Sequence, residues 1–377
     1  MAQWLNMTLA DWIGISAQIV STVFLNLVKS LLAPLLFALV VSSLGRATGS
    51  VGRTGLTAVI YFELVTSLAL VVGWAAMAWF EPGLSISIAA TTAPPSVTTL
   101  TSALVDAVPT SIIDATSRNA VLPMMIFFGL VGWAARAKRD SAAPLLDFCD
   151  SLLAVMMSYA TVVMKLAPFG MVAAVTVTLL NGGVDSVRGL TSFVIAALAA
   201  QFGMIAVYFL ILLGIKTPIG AFLMHTRNAI VIAMTTTSSA AALPKALEGM
   251  ERLGLERSRL GLVMPMGLSL NLAGSTIQLM MGVLFAAQAA RVQLDFGQLM
   301  MIFLTLKIAA KGVAGIPRAN FVILSATLPT FGLPLDSLPL LLAVDGIIDM
   351  VRTPVNVLGN CVAPLVVEKL TEQPGQR

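Results

Sequence analysis

Charged residues are scarce in this chain. They make up 11% of its 377 residues, whereas 58% are hydrophobic and the mean hydropathy is +0.94. A soluble globular domain carries roughly 25% charged residues, so this composition excludes an ordinary soluble domain and predicts a polytopic membrane protein. The formal net charge of +4 is spread over short segments. It therefore bears on membrane orientation and gives no case for a nucleic-acid partner.

Cysteine and histidine are almost absent as well. Cys149 and Cys361 are far apart and belong to no metal-binding motif, so we interpret them as small core residues rather than a disulfide or a metal pair. The single histidine, His225, is expected at the surface near the start of a helix. No nucleotide-binding loop or catalytic triad is visible, and His225 has no suitable serine near it. An intramembrane enzyme is therefore the most remote interpretation.

Lysine and arginine are missing between Arg53 and Arg118. By the positive-inside rule, Arg53 lies in the cytoplasm and the loop Glu81–Pro109 lies outside. Residues 1–18 contain tryptophans but no basic n-region, which favours an interfacial segment over a cleavable signal. Apolar runs then predict about seven membrane spans. They are Ile19–Leu44, Leu56–Phe80, Val121–Ala135, Leu145–Ala167 with a later turn at Asn181–Gly183, Gly189–Ile215, Leu260–Ala289 and Leu338–Val367.

Two further apolar segments are interrupted and are not predicted to be simple membrane spans. Ala221–Leu247 is interrupted by TTTSSAAALP, and Gln298–Leu335 is interrupted by GVAGIPRAN. Each segment has both flanks on one side of the membrane, which predicts two re-entrant hairpins that enter from opposite faces. The span between them is interrupted at Asn271–Ser275. Non-helical backbone at membrane depth is tolerated only inside protein or beside water, so the three interruptions are expected to meet in the interior.

The stretch Leu342–Ala363, within the last predicted span, carries a polar stripe. Its ionisable members oppose insertion by about 7–10 kcal/mol together, so the stripe is expected to face the protein interior. All five members fall within an arc of roughly 80° on a helix. They are Asp345, Asp349, Arg352, Asn356 and Asn360.

The side chains of this stripe suit an acidic α-amino acid. Arg352 offers a planar fork of donors that matches a carboxylate, and Asp349 can accept from an ammonium group. Hydrogen bonds to a second carboxylate can come from Thr353, Asn356, Ser238, Ser239 and Ser275. In the alternative interpretation, Asp349 and Arg352 only neutralise each other. Asp345, one turn further along, is either part of the site or a structural group paired, for instance, with a lysine.

Glu63 is a lone carboxylate in the second span. Burial favours the protonated form of a carboxyl group, so Glu63 can exchange a proton during a transport cycle. The alternative is a permanent ion pair with a lysine in apolar surroundings. The candidate lysines are Lys29, Lys165, Lys307 and Lys311.

Four blocks of sequence, taken in order, resemble the dicarboxylate/amino acid:cation symporters, the glutamate transporter homologues. The blocks are the serine-rich Ser238–Pro244, the helix interruption Asn271–Ser275, the hairpin tip Gly315–Pro317 and the pattern D-x-x-x-D-M-x-R-T-x-x-N from Asp345 to Asn356. The resemblance covers about residues 20–369. It implies an all-α polytopic membrane protein with the glutamate-transporter-like elevator fold, two re-entrant helical hairpins and about seven spans, without the family's first span.

The resemblance also implies a homotrimer in a bacterial-type inner membrane, with the N-terminus external and the C-terminus cytoplasmic. The expected divisions are an interfacial segment 1–18, a scaffold and trimerisation domain 19–53 and 98–182, a transport domain 54–97 and 183–370, and a tail 371–377. Within the transport domain we expect hairpin one at 217–250, the broken helix at 258–290, hairpin two at 297–335 and the last helix at 337–369.

By resemblance, the substrate contacts Asp349, Arg352, Thr353, Asn356, Ser238, Ser239, Ser275, Ile316 and Pro317. Cation or proton coupling falls to Glu63, Thr66, Ser67, Asn271, Asn356, Asn360 and Asp345, and the gate to Gly312, Gly315, Arg318 and Asn320. Two cation-site aspartates of the family are replaced here by Ala273 and Asn360. Hard cations need oxygen ligands with negative charge, so sodium dependence is expected to be weakened. Glu63 becomes the leading candidate for proton coupling.

The sequence thus predicts a secondary-active transporter of acidic amino acids, without a cofactor and with Na⁺ or H⁺ as the coupling ion. Two alternatives stay open. One is a sodium-coupled aspartate, glutamate or C4-dicarboxylate symporter that uses Asn271, Asn356 and backbone carbonyls. The other is a channel-like or exchange-only anion pathway lined by the polar stripe. The side-chain chemistry does not rank aspartate, glutamate and C4-dicarboxylates, because all present the carboxylate that Arg352 matches.

Overall fold

The computed structural model describes residues 8–46, 52–86, 105, 108–118, 120–313 and 319–371. Its elements within these ranges are helices. They are α1 Leu9–Ser30, α2 Leu32–Gly45, α3 Arg53–Phe80, α4 Ile112–Ser117, α5 Val121–Ala137, α6 Arg139–Lys165, α7 Ala167–Gly214, α8 Ile219–Thr236, α9 Ser239–Arg252, α10 Arg257–Leu270, α11 Ala273–Ala289, α12 Phe296–Ala309, α13 Ala319–Thr330 and α14 Ser337–Thr371, with short 3₁₀ turns at Pro82–Ser85 and Ala310–Val313.

Among the described residues, four helical stretches are long and apolar enough to cross a membrane, by length and composition. They are Arg53–Phe80, Asp140–Val163, Val187–Gly214 and Arg257–Ala289, the last of which comprises α10 and α11. Each agrees with one of the predicted spans. The turn predicted at Asn181–Gly183 is also confirmed, since Gly183 interrupts α7 with φ of 55° and ψ of −143°. A positive φ of this kind is freely accessible only to glycine.

The N-terminal part of the chain differs from the expected division. Helix α1 begins at Leu9, where the Asp11 carboxylate accepts hydrogen bonds from the backbone N–H and hydroxyl of Thr8. The helix continues to Ser30, so the chain has no break at residue 18 and the predicted first span is divided at Leu31 instead. Pro34 lies in the first turn of α2, where the missing N–H is tolerated because N–H groups of a first turn have no carbonyl acceptor within the helix.

The first predicted hairpin is an antiparallel pair of helices, α8 and α9. The chain reverses at Thr237, whose φ is 50°, and the Ser238 hydroxyl caps α9 by accepting from the N–H of Ala241 at 3.2 Å. The two helices then pack closely enough that a Cβ on Gly249 would overlap the His225 carbonyl. His225 itself is half-buried near the start of α8.

The second predicted hairpin consists of α12, the 3₁₀ turn Ala310–Val313 and α13. Asp295 and Gln298 form a reciprocal capping box at the start of α12, which fixes where this helix begins. The predicted tip residues Gly315, Ile316, Pro317 and Arg318 lie outside the described residues. Gly312 lies in the 3₁₀ turn that leads to them.

The interruption between α10 and α11 is confirmed, and it is shorter than predicted. Only Asn271 and Leu272 leave helical geometry, with φ and ψ of −117° and 58° and of −97° and 55°. The helix resumes at Ala273, so Gly274 and Ser275 lie in the first turn of α11. The first N–H groups of a helix have no partner within it, and here they face the interior.

Helix α14 forms the centre of the structure. It agrees with the predicted last helix, is buried along most of its length and packs against α3, α7, α8, α10 and α11. The burial of Cys361 in this helix and of Cys149 in α6, both as free thiols, confirms their interpretation as core residues.

The contact at Gly249 gives a stability prediction. A Gly249→Ala substitution is expected to lower the unfolding temperature, because overpacking against the His225 backbone costs about 1–3 kcal/mol. Gly261→Ala is the matched control, since its Cβ meets nothing within 4 Å and alanine favours a helix. Thermal unfolding of the purified variants in detergent measures both. Equal unfolding temperatures would contradict the close packing of α8 and α9.

Candidate binding site at the centre of the helix bundle

The Arg352 guanidinium is the hub of a buried polar network. Its Nη2 donates to Asp349 Oδ1 at 2.6 Å, and its Nη1 donates to Gln278 Oε1 at 2.5 Å and approaches Asp345 Oδ1 at 3.4 Å. Only 7% of the Arg352 side chain is exposed. A buried charge needs partners of this kind, because its desolvation is otherwise uncompensated.

Asp345 is paired with this arginine, so it belongs to the same polar network as Asp349. Gln278 of α11 completes the link, since its Nε2 donates to Asp345 Oδ1 at 2.9 Å while its Oε1 accepts from Arg352. The sequence analysis did not identify Gln278. A long polar side chain within the apolar run of α11, one turn after Ser275, was the available signal.

The Asp349–Arg352 contact proposed as a structural pair is also present. Asp349 Oδ1 accepts from Arg352 and from the Thr353 hydroxyl, which lies 2.9 Å away. Two aspartates and one arginine give the network a net charge of −1 in its ordinary protonation state. A ligand carboxylate that replaces Asp349 at Nη2 would gain the same charge-assisted hydrogen bond and release Asp349 to accept from another group.

Asn356 joins the last helix to the helix interruption. Its Oδ1 accepts from the backbone N–H groups of Gly274 and Ser275 at 2.8 and 3.3 Å, and its Nδ2 donates to Ser275 Oγ at 3.1 Å. One amide side chain thus satisfies free donors at the start of α11. The contact brings together Asn356 and Ser275, which the sequence predicted to share a site.

Gly274 permits this close approach. A Cβ there would lie 2.6 Å from the Arg352 carbonyl oxygen and 3.2 Å from Asn356 Oδ1. The Gly274 carbonyl accepts from Gln201 Nε2 at 3.0 Å. Gln201 is fully buried in α7 and was also missed by the sequence analysis, because a single glutamine in a predicted span carries no pattern.

The second hairpin contacts this region through a side chain, whereas the first hairpin packs its helices against α14. In the second hairpin, Asn320 is buried and its Nδ2 donates to the Ser275 carbonyl at 3.4 Å, so this predicted gate residue touches the helix interruption. In the first hairpin, Ser238 and Ser239 lie at the turn between α8 and α9, both half-buried. The helices α8 and α9 pack against α14.

Glu63 belongs to a second charged cluster, formed with hairpin two. Its carboxylate pairs with Lys307 Nζ at 3.2 Å and with Lys311, so two of the four candidate lysines are its partners in this structure. Ser67 joins the cluster as a hydrogen-bond acceptor from Lys307. Thr66 is buried, and its hydroxyl donates to the Phe62 carbonyl at 2.7 Å.

Asn271 and Asn360, the remaining predicted coupling residues, are both buried. Asn360 Nδ2 donates to the Met264 carbonyl at 3.2 Å. Neither the amide oxygen nor the amide nitrogen of Asn271 has a hydrogen-bond partner among the described residues, and the same holds for Asn360 Oδ1. Buried polar atoms without partners are rare in folded proteins, and they point to a ligand or water at this position.

A model of the sodium:dicarboxylate symporter family matches residues 5–370. The chain belongs to this family. The resemblance drawn from the four sequence blocks is thereby confirmed. The family consists of secondary transporters in membranes and not of enzymes, and its symporters carry no cofactor.

Curated relatives of the symporter family cover almost the whole chain. The proton/sodium-glutamate symport protein of Geobacillus stearothermophilus is 32% identical over 373 residues, which are 93% of this chain and 87% of the relative. The C4-dicarboxylate transport protein of Paracidovorax citrulli is 33% identical over 367 residues, 92% and 80% of the two chains. That of Erwinia tasmaniensis is 32% identical over 364 residues, 93% and 86%.

The capping role of Asn356 can be tested by stability. Asn356→Leu is expected to destabilise the protein by about 1–3 kcal/mol, because it leaves the N–H groups of Gly274 and Ser275 buried without an acceptor. Asn360→Leu is the matched control, since Asn360 makes a single hydrogen bond to Met264. Unfolding temperatures of both purified variants provide the measurement. A larger loss in Asn360→Leu than in Asn356→Leu would refute the assignment.

Proposed function

We propose that this protein is a secondary-active symporter of acidic amino acids, glutamate or aspartate, in the inner membrane. The observation that carries the proposal is the buried Arg352 guanidinium, flanked by Asp349 and held beside the interrupted helix by Asn356. An arginine in the middle of a membrane protein is costly and marks a functional site. Its planar fork favours a carboxylate over a neutral side chain.

The substrate would exchange places with Asp349. The side-chain carboxylate of the amino acid binds Arg352, and the freed Asp349 carboxylate accepts from the substrate ammonium group. Thr353, Ser275 and the hairpin serines Ser238 and Ser239 supply further hydrogen bonds to the second carboxylate. A C4-dicarboxylate also satisfies Arg352 but lacks the ammonium group that Asp349 requires. The relatives are named for glutamate and for C4-dicarboxylates, so both classes belong in the test.

Transport would follow an elevator mechanism in a homotrimer, with the two hairpins re-entrant. Residues 54–97 and 183–370 move as the transport domain against the scaffold of 19–53 and 98–182. The second hairpin is the gate, and Asn320 carries its contact with the binding site. The other gate and tip residues that we propose are Gly312, Gly315, Ile316, Pro317 and Arg318.

We propose in addition that transport is coupled to protons and that its dependence on sodium is weakened. Glu63 holds Lys307 and Lys311, which lie at the end of α12 and in the turn before the hairpin tip. A proton on Glu63 removes the charge that retains both lysines and so loosens α3 from the gate. Proton binding and gate movement are then linked through one carboxylate.

Sodium coupling is the second candidate, and the amide of Asn271 favours it. This amide is buried without a hydrogen-bond partner among the described residues, as is Asn360 Oδ1. Oxygen atoms of these two residues could bind a cation. The loss of carboxylates at Ala273 and Asn360 argues against strong sodium binding there, because uncharged ligands offset the dehydration of a cation less well.

Purified protein in liposomes separates these possibilities. We expect concentrative uptake of aspartate or glutamate when a proton gradient, acidic outside, is imposed without sodium. In Glu63→Gln this response is expected to disappear, because the amide cannot take up a proton. Glu81→Gln, at the exposed end of the same helix, is the matched control and should respond like the wild type.

Other outcomes of this uptake experiment are equally informative. Uptake driven only by a sodium gradient would overturn proton coupling and support the Asn271 alternative. Exchange without concentration under either gradient would support an exchange-only pathway. Preference for a C4-dicarboxylate over both amino acids would contradict the role of Asp349.

A further inference from the structure

The ammonium group of Lys307 is surrounded by oxygen atoms of helix α3. Its Nζ donates to Ser67 Oγ at 2.6 Å, lies 3.4 Å from the Glu63 carbonyl oxygen and pairs with Glu63 Oε2 at 3.2 Å. The side chains of Lys307 and Glu63 are 28% and 32% exposed, so both are mostly shielded by protein. Three oxygens from one turn of α3 therefore converge on a single positive charge.

These oxygens are of the types that bind alkali and alkaline-earth cations. A hydroxyl, a backbone carbonyl and a carboxylate are all hard ligands. The Ser67 hydroxyl donates its own hydrogen to the Glu63 carbonyl at 2.7 Å, so its lone pairs are left to face the ammonium group. Without the lysine, α3 would present a partly negative oxygen set on the surface that meets hairpin two.

The half-buried Glu63 cluster and the buried Arg352 network carry opposite formal charges. Lys307, Lys311 and Glu63 sum to +1, and the Arg352 network with its two aspartates sums to −1, so the total is zero without any bound ion. An uncompensated charge in the middle of a membrane protein is unfavourable. Lys307 thus supplies a positive charge beside the Glu63 carboxylate and the Ser67 hydroxyl.

We propose that the Lys307 ammonium is a built-in cation that occupies the Ser67–Glu63 oxygen set in place of a bound Na⁺. The proposal rests on the symporter function and deepens it, because it identifies the residue that makes one cation position independent of sodium. Lys311 has a different part. It contacts the Glu63 carboxylate and leaves the hydroxyl and carbonyl oxygens to Lys307.

The test measures sodium binding through thermal stability in the absence of substrate. In purified Lys307→Met, replacing choline chloride by NaCl at equal ionic strength is expected to raise the unfolding temperature by at least about 3 °C more than in the wild type. The rise should saturate with concentration, and adding Ser67→Ala should abolish it. Lys311→Met is the matched control and should respond to Na⁺ as the wild type does.

A second variant keeps the proposal falsifiable if Lys307→Met does not fold. Lys307→Cys can be aminoethylated to restore a primary amine at almost the same place, and only the unmodified form should gain the additional response to Na⁺. A folded variant whose response to Na⁺ equals that of the wild type would overturn the proposal. An equal response of the unfolding temperature to Na⁺ in unmodified and aminoethylated Lys307→Cys would also overturn it.

The same measurement distinguishes this inference from the proposed function. Stabilisation of the wild type by aspartate or glutamate tests substrate binding and involves no change at Lys307. If these amino acids do not stabilise the wild type but Na⁺ does stabilise Lys307→Met, the proposed role of Lys307 is supported and the proposed substrate is rejected. The reverse pair of results would reject the built-in cation alone.

Discussion

The structure depends on the need to hold one arginine inside a helix bundle. Arg352 makes charge-assisted contacts to Asp345 and Asp349 within α14. Its hydrogen bond to Gln278, which also donates to Asp345, joins α14 to α11. Removing one partner of such a set leaves a buried charge without compensation, so the elements that carry the partners must stay in register. In the proposed function, a substrate carboxylate replaces Asp349 as the partner of the Arg352 guanidinium, so that the charge pairing is kept.

The interruption between α10 and α11 also creates buried polar groups, here of the backbone, that need partners. Breaking a helix exposes N–H and C=O groups that must find partners in a water-poor interior. Asn356 satisfies the donors at the start of α11, and Gln201 satisfies the Gly274 carbonyl. The amide of Asn271 has no such partner among the described residues. A polar surface is thereby placed beside Arg352, within reach of the second hairpin through Asn320.

The sequence predicted the features that come from local patterns. Apolar length predicted about seven spans, and four of them agree with stretches of the described residues that are long and apolar enough to cross a membrane. The positions of glycine and asparagine predicted the interruption at Asn271 and the turn at Gly183. The spacing of Asp345, Asp349, Arg352 and Asn356 gave the polar stripe. The hydrogen-bond partners were not predictable, because they depend on which helices pack together. Gln278 and Gln201 were missed, and the pairing of Asp345 with Arg352 was not foreseen. The sequence narrowed the ion-pair partners of Glu63 to four lysines but did not identify Lys307 and Lys311, because α3 and α12 are distant in sequence.

Calorimetric titration with aspartate and asparagine tests the central claim, that Arg352 selects an anionic substrate. The double variant Asp345→Asn/Arg352→Gln removes the arginine while keeping the formal charge of the network at −1. Arg259→Gln is the control, because Arg259 pairs with Glu368. The account predicts that preference for aspartate over asparagine falls by about 10- to 150-fold in the double variant, the range of a charged hydrogen bond. The control should keep the wild-type preference. An unchanged preference in a double variant that still binds both ligands would contradict the account.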